Sequence, residues 1–141
     1  MSLWKKPAES ADYLSGTSFF EGFSSEDLQR MAALSGELKM GRGAVLIDQG
    51  DIGVDCYVIV EGAASVRVRD DEVATLGAGD MVGEMALIDH RPRSASVVAT
   101  SDMTLLRFNS PQFRRLLTEM PKAEERVLTM LTARLRADEE Q

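Results

Sequence analysis

Residues 81–97 read MVGEMALIDHRPRSASV, and this stretch says more about the chain than any other. Gly83 follows a strand-like pair and precedes a short helix-prone run, and a glycine lets a ligand approach the backbone closely. The start of such a run exposes unpaired backbone N–H groups, which favour an anion. Arg93 follows where the next strand begins, and its planar guanidinium suits phosphate oxygens. Together with the carboxylate of Glu84, the segment suits a ligand with one negative charge and neighbouring polar groups.

From about residue 40 to residue 108, short β-prone runs alternate with turns rich in glycine and aspartate. In one run, Val66 and Val68 alternate with polar residues, so the valines are expected to face the core and the polar side chains to face away. Many short strands at this spacing favour a sandwich or a barrel. The predicted strands are 44–47, 57–60, 65–69, 73–76, 95–99 and 104–108.

A helix is predicted before the β region. Ser24 and Asp27 have the spacing of a capping box, and Gly36 is expected to end the helix. Residues 1–18 are mixed and polar and are interpreted as a leader or linker, which leaves 19–138 as the folded domain. A chain of 141 residues is the size of one ordinary domain.

Two more helices are predicted after the β region. Ser110 is the expected N-cap of the first and Pro111 its first helical residue, and Pro121 ends it and opens the next. The last helix is expected to have an apolar face made of Val127, Leu128, Leu131 and Leu135. This order predicts an α+β domain, an antiparallel β-barrel of the jelly-roll type with an N-terminal helix and two C-terminal helices.

Charge and composition argue against several classes of function. The chain carries 23 acidic and 16 basic residues, and its net charge of −7 opposes direct binding to nucleic acid or an anionic membrane. No apolar run is long enough for membrane insertion, and the first residues lack the layout of a secretory signal. Cys56 is the single cysteine and stands among apolar residues, which predicts a buried, inert thiol. A cytoplasmic location is expected.

The sequence predicts no enzyme. His90 is its only histidine, so a cupin-like centre with several histidines around one metal cannot form. No Ser-His-Asp or Cys-His arrangement is credible either. We therefore expect no catalytic residues and no metal.

The stretch quoted first resembles the phosphate-binding cassette of the cyclic-nucleotide-binding domain family. That family includes bacterial cAMP-responsive regulators, regulatory subunits of cAMP-dependent kinase and cyclic-nucleotide-gated channels. Its core pattern is Gly-Glu-hydrophobic-Ala-Leu, a variable stretch, and Arg-Ser/Thr/Ala-Ala. GEMAL at 83–87 and RSA at 93–95 match it without a gap. The resemblance covers roughly residues 19–135 and includes QGD at 49–51, YVIVEG at 57–62 and LGAGD at 76–80.

The resemblance implies roles for individual residues around Gly83. Arg93 would pair with the exocyclic oxygens of the cyclic phosphate, and Glu84 would accept a hydrogen bond from the ribose 2′-hydroxyl. Backbone N–H groups around Met85, Ala86, Ser94 and Ala95 would complete the phosphate cradle. The purine and ribose would be walled by Val66, Val68 and Leu76.

In the family, the residue after the arginine helps to set base preference. Ser94 favours cAMP, but its hydroxyl could also serve guanine, so cGMP stays open as a ligand. The last helix of the family often closes over the base as a lid. Leu128, Leu131 and Arg134 are the candidates for that contact here.

The resemblance implies a regulatory module in which ligand binding moves the C-terminal helices and a partner detects the change. The expected partner is an effector domain or protein outside this chain, and a homodimer through the C-terminal helices is left open. One alternative is a degenerate barrel that binds no nucleotide and serves as an interaction or dimerisation domain, although Glu84 and Arg93 are both retained. Another is a DNA-binding regulator, which would need a helix-turn-helix after the last helix, and the chain ends at Gln141.

Overall fold

The computed structural model describes residues 21–84, 87 and 91–139, and for residues 130, 131 and 133–139 it describes the backbone alone. The expected leader at 1–18 lies outside these residues. The helices and strands are α1 Ser25–Leu34, β1 Gly36–Met40, β2 Val45–Ile47, β3 Asp55–Glu61, β4 Ala64–Val68, β5 Asp71–Leu76, β6 Met81–Val82, β7 Ser96–Ala99, β8 Met103–Asn109, α2 Ser110–Glu119 and α3 Pro121–Glu139.

The strands of the described residues form two four-stranded sheets. Their orders are β1-β8-β3-β6 and β2-β7-β4-β5, and neighbouring strands pair antiparallel. α1 precedes this jelly-roll-like sandwich in the chain, and α2 and α3 follow it. The predicted fold class is therefore confirmed.

Strand β3 is buried on both faces, which explains its continuous apolar run from Cys56 to Val60. One face contributes Cys56, Val58 and Val60 to a core that also contains side chains of the three helices. The other face contributes Tyr57 and Ile59 to a second core, which includes residues of both sheets. Burial raises the pKa of the Cys56 thiol, as expected for an inert cysteine.

The ends of the helices differ in part from the sequence prediction. The capping box of Ser24 and Asp27 is present. α1 ends at Leu34 with Ser35 as its C-cap, directly before Gly36, in agreement with the expected end of the helix. The prediction of Ser110 as N-cap was wrong, because Asn109 is the N-cap and accepts a hydrogen bond from the Gln112 N–H group. Ser110 is therefore the first helical residue, and the proline that follows it is the second.

The sequence reading missed strand β1 and misjudged one polar side chain. β1 alternates half-buried Leu38 and Met40 with exposed residues, a period-two signal hidden by its charged side chains. Ser65 was expected to face away from the core as a solvent-facing polar residue, but it is fully buried. It donates a hydrogen bond to Glu72 Oε1 at 2.7 Å and accepts one from Arg67 Nε at 3.2 Å, so polar neighbours satisfy its hydroxyl.

The apolar face predicted for α3 is only partly correct. Val127 is buried, together with Ala123 one turn earlier. Leu128 is 56% exposed and does not belong to that buried face. The side chains of Leu131 and Leu135 lie outside the described residues.

We expect Asn109→Ala to lower the free energy of unfolding by about 1 kcal/mol, because it removes the acceptor that caps α2. Ser110→Ala is the matched control at the neighbouring position and should change that free energy by less than about 0.5 kcal/mol. Urea denaturation of both variants measures the difference. If Ser110→Ala lowers the free energy of unfolding more than Asn109→Ala does, Ser110 and not Asn109 is the N-cap.

Candidate ligand-binding site

Arg93 is held in place by both its backbone and its side chain. Its guanidinium donates from Nη1 to the Gly83 carbonyl at 2.7 Å and from Nη2 to the Asp55 carbonyl at 2.5 Å. Its N–H group donates to the Asp51 carbonyl at 2.7 Å, and its carbonyl accepts from the Gly50 N–H group at 2.9 Å. These bonds fix the direction of a half-buried cation, and a group held in one direction is preorganised for an interaction with an anion.

Only glycine fits at position 83. Its φ is +92°, a conformation that L side chains rarely adopt. A Cβ atom there would lie 2.7 Å from Arg93 Nη1, 3.1 Å from Ile47 Cδ1 and 3.2 Å from the Asp55 carbonyl oxygen. The absence of a side chain therefore makes room for the guanidinium against the backbone.

Glu84 follows this glycine and is fully buried, which is rare for a carboxylate. The nearby Cys56 thiol responds to its surroundings: burial raises the pKa of the thiol most, the charge of Glu84 raises it further, and that of Arg93 lowers it. Since Glu84 follows the glycine whose carbonyl accepts from Arg93, a buried acid and a half-buried base lie near one another. Burying a carboxylate costs free energy unless its surroundings compensate for the lost solvation.

Two of the three predicted wall residues on the β4–β5 hairpin pack against the core that contains Ile47, a neighbour of Gly83. Val66 and Leu76 are half-buried against the second core, which also contains Ile47, the side chain closest to a Cβ at Gly83 after Arg93. Val68 is half-buried nearer the tip of the hairpin. Ile47, which lies next to Gly83, therefore belongs to the same core as two of the predicted wall residues.

The remaining predicted residues are only partly described. Ser94 is exposed and Ala95 is half-buried, directly after the arginine. Met85 and Ala86 lie outside the described residues, as does His90. Of the lid candidates, Leu128 is exposed, and the side chains of Leu131 and Arg134 lie outside the described residues.

Sequence reasoning missed two contributors to this site. Asp55 supplies a backbone carbonyl to Arg93, a contact that any residue type could make and that therefore leaves no signal in the sequence. Ile47 ends β2 and lies against Gly83, and its β-prone neighbourhood predicted the strand but not this contact. Both depend on the pairing of distant segments.

Residues 37–120 match the family described as the cyclic nucleotide-binding domain. The chain belongs to this family. The cassette resemblance seen in the sequence is therefore confirmed at the level of the family. The structure adds the arrangement of Gly83, Glu84 and Arg93, with the arginine anchored on the backbone.

The chain is similar in sequence to a bacterial effector protein and to a kinase regulatory subunit. The Pycsar effector protein PaPycTIR of Pseudomonas aeruginosa is 38% identical over 112 residues, which cover 78% of this chain and 36% of that protein. The cAMP-dependent protein kinase type II regulatory subunit of Drosophila melanogaster is 45% identical over 80 residues, which cover 53% of this chain and 21% of that protein. The chain thus spans about a third or less of these two relatives.

A solved structure with the same fold is the catabolite activator protein of Thermus thermophilus. It has a TM-score of 0.76 and 30% identity, with 86% of this chain and 60% of that chain covered. Among the residues that the structure describes, no helix has the length and apolar character to cross a membrane. The same residues contain no cluster of three or more His, Cys, Asp or Glu side chains that could hold a metal ion.

Gly83→Ala should destabilise the domain more than Gly43→Ala. Gly43 has a φ of +90° and open space around it, so alanine there meets only the backbone cost, about 1–2 kcal/mol. Alanine at position 83 also displaces the guanidinium from its carbonyls, which should cost about 1.5–3 kcal/mol more.

Urea denaturation of the two variants measures this excess. In a protein that already carries Arg93→Ala, most of the additional destabilisation by Gly83→Ala should disappear, because the guanidinium that alanine would displace is absent. Equal losses for Gly83→Ala and Gly43→Ala would contradict the role given to the glycine.

Proposed function

We propose that this chain is a regulatory module that binds a cyclic nucleotide, with cAMP preferred over cGMP, and that it catalyses no reaction. The observation that carries the proposal is the guanidinium of Arg93, held against the carbonyls of Gly83 and Asp55 beside the buried Glu84. Among the described residues, two of its five N–H groups donate to those carbonyls, so the fork keeps donors for a phosphate.

The other parts of the ligand follow from the same arrangement. The Glu84 carboxylate is proposed to accept a hydrogen bond from the ribose 2′-hydroxyl, the polar group next to the cyclic phosphate. The aromatic face of the purine base is proposed to pack, with the ribose, on the inner face of the β4–β5 hairpin. In this proposal the phosphate cradle consists of backbone N–H groups around Met85, Ala86, Ser94 and Ala95. The wall consists of the side chains of Val66, Val68 and Leu76.

The preference for cAMP rests on two supports. The first is Ser94, because the resemblance to the family associates a serine directly after the arginine more often with cAMP. The kinase regulatory subunit that is 45% identical to this chain carries cAMP dependence in its name. Since a serine hydroxyl can also bond to guanine, the comparison with cGMP belongs to the same experiment.

The proposed output is a movement of the C-terminal helices. Leu87, which lies in the cassette, packs against the first core, and that core also holds Ala123 and Val127 of α3. A shift of the cassette on ligand binding would therefore reach α3 through this shared core. The partner that responds to this movement is proposed to be a cytoplasmic effector domain or protein, or a second copy of this chain that contacts the exposed Leu128.

Isothermal titration calorimetry with cAMP and with cGMP tests the proposal. Arg93→Ala should weaken binding at least about tenfold for each charge-assisted hydrogen bond lost. Arg91→Ala is the matched control, because Arg91 is exposed and only two residues away. It should bind within about twofold of the parent.

Two results would overturn the proposal. No heat with either nucleotide at high micromolar concentration would leave the degenerate interaction domain as the better account. An Arg93→Ala variant that binds as tightly as the parent would show that the phosphate is held elsewhere.

A further inference from the structure

The tip of the β4–β5 hairpin has an unfavourable turn. Val68 pairs with Asp71, so Arg69 and Asp70 are the two residues of the loop. Their φ angles are +51° and +73°, the sign that a type I′ turn requires at both positions. Such turns favour Asn-Gly, and arginine at positive φ is uncommon, so the local sequence alone stabilises this turn poorly.

Gln49 supplies a contact from outside the hairpin. Its Oε1 accepts a hydrogen bond from the Arg69 N–H group at 3.0 Å. Its own N–H group donates to Ser96 Oγ at 2.9 Å, at the start of β7. Since the sheet order is β2-β7-β4-β5, Gln49 extends from the end of β2 across β7 to the hairpin tip.

The residues after Gln49 contact Arg93 directly. The Gly50 N–H group donates to the Arg93 carbonyl at 2.9 Å, and the Arg93 N–H group donates to the Asp51 carbonyl at 2.7 Å. Residues 49–51 therefore touch the hairpin tip on one side and the proposed phosphate-binding residue on the other. This short segment therefore adds a second connection between these two parts of the pocket, beside the pairing of β4 with β7.

We propose that Gln49 is a positioning residue that keeps the β4–β5 hairpin close to Arg93 and thereby slows ligand release. The inference rests on the proposed function, because the hairpin supplies the wall residues Val66 and Leu76. β5 stands at the end of the sheet order, so the hairpin gains lateral support from β7 through β4. Without the Gln49 contact the tip is freer to open, and the ligand should leave faster.

The test compares Gln49→Met with Ser101→Ala. Methionine keeps the length of the side chain but loses its strong acceptor, and Gln49 is exposed, so the fold is retained. Ser101 Oγ accepts from the Ala63 N–H group at 2.9 Å and donates to the Asp102 carbonyl at 2.9 Å, so its loss removes at least as many hydrogen bonds near the opposite end of the hairpin. Stopped-flow displacement of a fluorescent cAMP analogue gives the dissociation rate, and thermal unfolding gives the Tm of the unliganded proteins.

Gln49→Met should raise the dissociation rate about three- to tenfold, as the loss of one net hydrogen bond allows. Ser101→Ala should leave the dissociation rate within about twofold of the parent. Its Tm should nevertheless fall by about as much as that of Gln49→Met. In a protein carrying Arg69→Asn and Asp70→Gly, the turn is stable by itself, and Gln49→Met should then change the rate less than about twofold.

Equal dissociation rates for Gln49→Met and Ser101→Ala would overturn the inference. So would an undiminished effect of Gln49→Met in the protein with the replaced turn. A parent that binds neither nucleotide would end the proposed function and this inference together. A parent that binds cAMP and a Gln49→Met variant with the parent's rate would end this inference alone.

Discussion

The hydrogen bonds from the Arg93 guanidinium to the carbonyls of Gly83 and Asp55 join two segments that are far apart in the sequence. One carbonyl belongs to the start of β3, a strand buried on both faces, and the other to a glycine in a left-handed conformation. Because both acceptors are backbone atoms of fixed position, the cation has a fixed direction. The proposed pocket depends on this anchoring, since a phosphate is bound best by donors that need no rearrangement.

Strand β3 connects the site to the rest of the fold. Its alternate side chains enter two different cores, one shared with the helices and one shared with the second sheet. Leu87 of the cassette contacts the helical core, and Ile47 beside Gly83 belongs to the other. The segments next to Arg93 therefore pack against both cores. One core contains residues of α3, and the other has residues of the β4–β5 hairpin packed against it.

The sequence was sufficient where the deciding contacts are local. The capping box of Ser24 and Asp27 lies within four residues, and the period of the strands reflects which face is buried. The cassette pattern predicted Arg93 and Glu84 as site residues from their types and spacing, and the structure places Arg93 against the glycine that precedes Glu84.

The sequence was insufficient where distant segments meet. Asn109 rather than Ser110 caps α2, a choice between adjacent residues that each cap well. The burial of Ser65 depends on a partner across the hairpin, and the Asp55 carbonyl has no side-chain signature. The central claim is that a cyclic phosphate binds at an arginine already anchored on the backbone. A crystal structure of the chain with cAMP tests it most directly. The account predicts the exocyclic oxygens within hydrogen-bond distance of the Arg93 guanidinium, with its bonds to the Gly83 and Asp55 carbonyls retained. A phosphate bound away from Arg93, or a guanidinium that leaves both carbonyls to reach it, would contradict the account.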